Sequence, residues 1–234
     1  MATRDATKAK VAIKKMEAEG LGEGSVHFLE PDLADPRQVS KATKQFAESE
    51  ERLDILMDWD HVSPFILTDT VLPLMKRTAV EVNSDVRIVN LSSSMHAQVK
   101  PTTFAGKETL AKDYGPSAIK AMDTYSYTKL ASSPVTCISI HPGVVQTQTS
   151  AGVMGSVPFL KRVVVPLVFG TWDAGGKAVA FAAAANDVAA RRSRYKGAYL
   201  SVSAITEPSK QAQDPKLQEE LWETTEKAVQ EMQL

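Results

Sequence analysis

The chain has 234 residues, enough for one domain of the larger sort with a real hydrophobic core. Its 27 lysine and arginine residues nearly balance 28 aspartates and glutamates, which excludes the basic excess of a nucleic-acid binder. The one cysteine, Cys137, excludes an internal disulfide framework and favours a reducing compartment, most simply the cytoplasm. The opening Met1-Ala-Thr-Arg-Asp5 has no apolar core, and the longest apolar run, 163–169, is far short of the roughly 20 residues a bilayer span needs.

In chain order, residues 5–19 carry helix formers with Ala6, Ala9, Val11, Ala12 and Met16 spaced as an apolar stripe ending at Gly20, which predicts a helix. A turn-rich stretch leads to a short strand at 26–29, then Pro31-Asp32 and a second helix over 36–48. A strand at 53–56, a helix at 61–75 and a strand at 86–91 follow. A helix around Tyr125, strands at 135–140 and 198–202, a helix at 172–185 and a polar closing helix at 217–232 complete the pattern. Strands alternating with helices imply parallel crossovers and an α/β sheet covered on both faces, within a single domain over 1–234. Gly20-x-Gly-x-Gly24 follows a helix and precedes a strand, the reverse of the order a phosphate-binding turn requires, so it is a connector. His27, His61, His96 and His141 lack metal-ligand spacing, and no metal is expected.

Chemistry concentrates in three segments: Arg87-Ile-Val-Asn-Leu-Ser-Ser-Ser94, Tyr125-Ser-Tyr-Thr-Lys129 and His141-Pro-Gly-Val-Val-Gln-Thr147. Tyrosine and lysine four residues apart share a helix face, so the ammonium sits near the phenol and favours its ionised form. A tyrosine with its ordinary pKa of about 10 is a poor acid or base at neutral pH. Tyr127 lies only two residues from Lys129 and faces elsewhere. An isolated Tyr-x-x-x-Lys is usually a surface pair; its place between the serine strand and Pro142-Gly-Val-Val-x-Thr147 is what gives it weight.

This ordered set resembles the short-chain dehydrogenase/reductases over nearly the whole chain. The tail, Tyr195-Lys-Gly-Ala-Tyr-Leu200 with Leu221-Trp-Glu223, resembles the fungal and retinol-dehydrogenase-like members. The resemblance implies a Rossmann-like doubly wound parallel sheet and a catalytic set of Ser93, Tyr125 and Lys129. It also implies cofactor contacts from Arg4, Asp32, Tyr125, Lys129, Val145 and Thr147. Arg4, placed to pair with a 2′-phosphate, points to NADP over NAD. Asp32 matches the residue bordering the adenine, and is equally suited to lead a helix from a turn. Residues 148–170 match a substrate lid; their apolar content suits a lipophilic alcohol, ketone or aldehyde, with core packing or peripheral membrane contact as alternatives. A fungal biosynthetic role, secondary metabolism, is the implied setting.

The departures are as specific. Relatives open with a strand, a glycine-rich turn and a helix that holds the pyrophosphate. Here Met1-Ala-Thr-Arg4 matches the end of their second strand, so the fold is expected to be incomplete, with the first strand and Gly-rich loop missing. Either 26–29 then pairs with 53–56, or a sheet edge and apolar faces stay uncovered. Met57-Asp-Trp59 replaces Asn-Asn-Ala-Gly, and Asp60 stands for the asparagine that completes the catalytic set. After Lys129 only Leu130-Ala-Ser-Ser-Pro134 precedes the next strand, which strips the usual dimer helix and leaves oligomerisation open. About nine helical residues rise roughly 14 Å and four extended ones add about 13 Å, enough to recross a strand roughly 20 Å long. Two functions fit: an NADP-dependent oxidoreductase, or a non-catalytic dehydrogenase-like protein, such as a shortened gene product, that does not bind the cofactor.

Overall fold

The computed structural model describes residues 1, 5–29, 32, 34–58, 62–92, 94, 103–110, 137–145 and 170–234. Asp5 caps the first helix by accepting the Lys8 N–H at 2.9 Å, and Gly20, at φ 95°, ends it by donating to the carbonyls of Met16 and Glu17. This is α1 (Ala6–Glu19); Asp35 and Pro36 start α2 (Pro36–Ser49) in the same way. Of the apolar stripe on α1 only Ala9 is buried, and Val11 is 53% exposed, so the packing expected of that face is not realised.

The segment 26–29 is not a strand of the sheet. Among the described residues its main chain pairs with Met1 alone: the Leu29 N–H donates to the Met1 carbonyl at 2.9 Å, and the Met1 ammonium donates to the His27 carbonyl at 2.7 Å. The sheet instead begins with β1 (Ile55–Asp58), followed by α3 (Val62–Ala79) and β2 (Arg87–Leu91). The sequence expectation ended α3 at 75, two residues past Pro73, but the helix runs through it because Pro73 lies on the solvent side. The Thr78 hydroxyl donates to the Leu74 carbonyl and accepts the Leu53 N–H at 2.9 Å, tying the end of α3 to the start of β1.

After α4 (Lys107–Leu110) comes β3 (Cys137–His141), which pairs parallel to β2; the short return expected after residue 129 lies outside the described residues. Helices α5 (Trp172–Ala184), α6 (Asn186–Ala190) and α7 (Arg192–Tyr195) lead to β4 (Tyr199–Ser201), which extends the parallel sheet beside β3. A strand the sequence did not announce, β5 (Ala204–Thr206), turns back antiparallel to β4 through Val202-Ser203. The order is β1-β2-β3-β4-β5: a Rossmann-like, mostly parallel sheet with flanking helices.

Pleat alternation decides which layer each residue joins. Leu56 and Ile88 face α3 and pack with Val71 and Met75. Val89, Ile138, Ile140 and Leu200 face the other layer, against Ala178 and Ala182 of α5 with Val188 and Tyr195. Small buried residues on α5, among them Gly175 and Ala178, bring that helix close to β2 and β3. That layer stops one strand short. Register pairs Met57 with Val89, yet Ile55 and Met57 are 39% and 47% exposed, so one face of β1 is bare and it pairs only with β2 among the described residues. The expected pairing of 26–29 with 53–56 is not made among the described residues.

The closing helix α8 (Pro215–Glu231) is amphipathic rather than simply polar, burying Leu217, Leu221, Thr225 and Ala228 at helical spacing. Trp222 meets Phe65 edge-on with ring centroids 5.0 Å apart. Glu220 accepts the Thr103 hydroxyl at 2.7 Å and the Phe104 N–H at 3.0 Å, and Lys107 pairs with Glu231. Among the described residues no helix is long and apolar enough to cross a membrane.

Candidate functional site

Four parallel strands deliver their C-terminal ends to one edge of the sheet, where ligands of open α/β folds bind. Asp58 closes β1, Leu91 leads into Ser92 after β2, and His141 ends β3 before Pro142-Gly143. Ser92 is buried and its N–H bonds the Ile140 carbonyl at 2.7 Å, which holds the start of the serine loop against β3. Ser93 follows immediately in the sequence but lies outside the described residues, as do Tyr125, Lys129, Arg4, Thr147, Asp60 and 146–169.

Two expected cofactor residues are described. The Asp32 carboxylate accepts the Ala34 N–H at 2.9 Å and its own N–H reaches Gln38 at 3.5 Å. It leads the chain into α2, the turn role the sequence allowed for it, and is half-buried.

Val145 sits on the turn after β3. Gly143 there has φ 90°, a left-handed conformation that favours glycine and lets a ligand approach the backbone closely. Val145 forms a parallel bridge with Gly170, sealed by the Gly170 N–H to the Val144 carbonyl at 2.7 Å, which brings these two points of the chain together. Thr171 accepts the Ala174 N–H at 3.1 Å and starts α5 directly beyond this clamp. Beneath Val145 lies Gly175: a Cβ there would stand 2.5 Å from Val145 Cγ2. Sequence reasoning missed Gly175, because a glycine inside a helical pattern carries no sign of what it faces. Gly175→Ala is expected to cost about 1–3 kcal/mol by overpacking. The melting temperature should fall by several degrees, at about 2–4 °C per kcal/mol, and a second substitution, Val145→Ala, should restore most of it.

Asp58, within the Met57-Asp-Trp59 stretch, is buried on the α3 side with the Thr68 hydroxyl 3.4 Å from its carboxylate. No cluster of three or more histidine, cysteine or acidic side chains is arranged to hold a metal among the described residues. The turn Gly143-Val144-Val145 leaves the sheet from β3, beside the serine strand β2. Arg4, the residue expected to meet a 2′-phosphate, lies outside the described residues.

No family model matches the chain. It is 30% identical to a short-chain dehydrogenase/reductase of Armillaria gallica over 270 aligned positions, covering 99% of this chain and 84% of that protein. Because 270 positions exceed the 234 residues here, that relative carries stretches within the aligned region that this chain lacks. A polyprenol dehydrogenase of Mus musculus is 25% identical, with 95% of this chain and 73% of that protein covered. Among solved structures, the Pseudomonas aeruginosa RhlG/NADP active-site complex superposes with a TM-score of 0.57 at 15% identity, covering 86% of this chain and 82% of that one.

Proposed function

The chain belongs to the short-chain dehydrogenase/reductase family, and on that premise we propose that it is an NADP-dependent oxidoreductase interconverting a lipophilic alcohol and its ketone or aldehyde. The observation that carries this reading is the ordered set Ser93, Tyr125, Lys129 and Pro142-Gly-Val-Val-x-Thr147, with Gly143 and Val145 placed at the C-terminal edge of the sheet. In this reading the Tyr125 phenol gives a proton to the substrate carbonyl oxygen during reduction. The Lys129 ammonium, one helical turn along, stabilises the phenolate that remains. Ser93 donates a hydrogen bond to the same oxygen. Arg4 holds the 2′-phosphate of NADP, Asp32 borders its adenine, and Val145 and Thr147 flank the carboxamide. Bound NADP supplies the hydride chemistry. The polyprenol dehydrogenase among the relatives supports a lipophilic alcohol as substrate.

A second reading, a dehydrogenase-like protein that does not hold the cofactor, is favoured by the bare face of β1 at Ile55 and Met57. Titration of purified protein with NADPH, followed by fluorescence and melting temperature, separates the two. Saturable binding with a dissociation constant below millimolar is expected. At a hundredfold excess over that constant the fold should gain about 2.7 kcal/mol. No binding up to millimolar NADPH overturns the oxidoreductase reading in favour of the second.

A further inference from the structure

We infer that Val202, packed over Gly143 at the end of β3, forms an apolar rim that takes the hydrocarbon chain of the substrate; this assignment rests on the oxidoreductase reading above. Val202 opens the two-residue turn between β4 and β5 at φ 59°. Glycine is the usual residue at such a position, because a β-branched side chain is strained there. Burial does not repay the strain, since Val202 is 45% exposed. Residues held in such conformations cluster where function over-determines them.

Its placement says what that function is. The Val202 N–H donates to the His141 carbonyl at 2.8 Å, and its Cγ2 lies 3.5 Å from where a Cβ on Gly143 would stand. Register pairs His141 with Ser201, so both turns leave the sheet at the same level, on the ligand-binding edge. Val144, 46% exposed, follows Gly143 in the same turn, and Trp172, 66% exposed, stands two residues beyond the Gly170 whose N–H bonds the Val144 carbonyl. Among the described residues these few side chains fall short of the roughly 800 Å² per partner that a stable protein interface buries. Residues 141–145 and 201–206 contain no lysine or arginine to draw an anionic membrane. A single hydrocarbon chain is the occupant that matches this size and chemistry.

The test uses full-length protein with 1-octanol as probe and ethanol as the short control, by calorimetry in NADPH. Val202→Thr keeps the β-branch and the strain but exchanges a methyl for a hydroxyl. It should weaken octanol binding about fivefold with the melting temperature unchanged. Val202→Gly should weaken octanol about tenfold while raising the melting temperature, since the strain is released as the contact is lost. Ethanol should respond to neither. The inference is overturned by octanol affinity that both variants leave unchanged, by wild-type protein that does not bind octanol, or by a lowered melting temperature in Val202→Gly. It is equally overturned if the variants change self-association in sedimentation rather than octanol affinity. NADPH titration of the same samples tells the two failures apart: octanol binding that depends on Val202 without NADPH binding removes the oxidoreductase reading and leaves the rim.

Discussion

Arg87→Ala is expected to be the most destabilising single change at the base of the sheet, costing about 3–5 kcal/mol, as breaking a buried charged network does. The guanidinium, 5% exposed, donates to both oxygens of Asp85, to the Ala182 carbonyl at 2.9 Å and to the Ala185 carbonyl at 2.9 Å. It therefore closes the C-terminal end of α5, where a cation is favoured and carbonyls otherwise lack partners. Alanine would leave those carbonyls buried without their donor and Asp85 to Arg192 alone, which holds it at 2.7 Å. Against the roughly 5–15 kcal/mol typical of domains, such a loss removes about a fifth of the stability or more, and chemical denaturation should show it as a lowered midpoint.

The same network sets a pH dependence. The Arg87 hydrogen bonds, opposed by partial burial and helped by Arg192, hold the Asp85 carboxyl below its ordinary value. A carboxyl lowered on folding contributes stability that is fully present above its unfolded pKa of about 3.9 and is lost as pH falls through the lower folded value. Asp85→Asn should thus be less stable than the wild type near neutrality, and the gap should narrow below about pH 4. A gap constant through the acid range would move the source of the effect away from this carboxyl.

Tyr125→Phe carries the largest expected effect on activity. Removal of a proton donor in the transition state costs about 10²- to 10⁴-fold in turnover. Because the phenol acts on the substrate oxygen, NADPH affinity should stay near the wild-type value, so kcat falls while the cofactor titration is preserved. Steady-state kinetics on a lipophilic ketone, beside fluorescence titration, checks both halves. Unchanged turnover would place the proton donor elsewhere.

Most of the architecture was legible because periodicity and caps speak locally. Asp5, Gly20, Asp35 and Thr171 bound their helices, and Val89, Ile140 and Leu200 mark buried strands. What stayed hidden depends on distant partners. Whether 26–29 becomes a strand depends on neighbours that its own residues do not encode, and among the described residues two bonds to Met1 are what they find. The turn at Val202-Ser203 contains no glycine, asparagine or proline, so β5 had no signal. The apolar stripe of α1 was visible, but a stripe does not state whether anything covers it. At the site, the motifs named residues by resemblance, whereas the contact of Val145 with Gly175 is a matter of tertiary packing.

The closing helix gives the protein a history in time as well as a shape. Glu220 is joined to Thr103 across 117 positions of chain, and Trp222 covers Phe65 from still farther along. At about 5–20 residues per second, a ribosome spends on the order of ten seconds between making Thr103 and making the carboxylate that holds it. For that interval the nascent chain has Phe65 and Phe104 but not the helix that covers them, and its surface is that of an unfinished product. Chaperone engagement during synthesis, more than any property of the finished molecule, should therefore track how promptly residues 215–231 emerge.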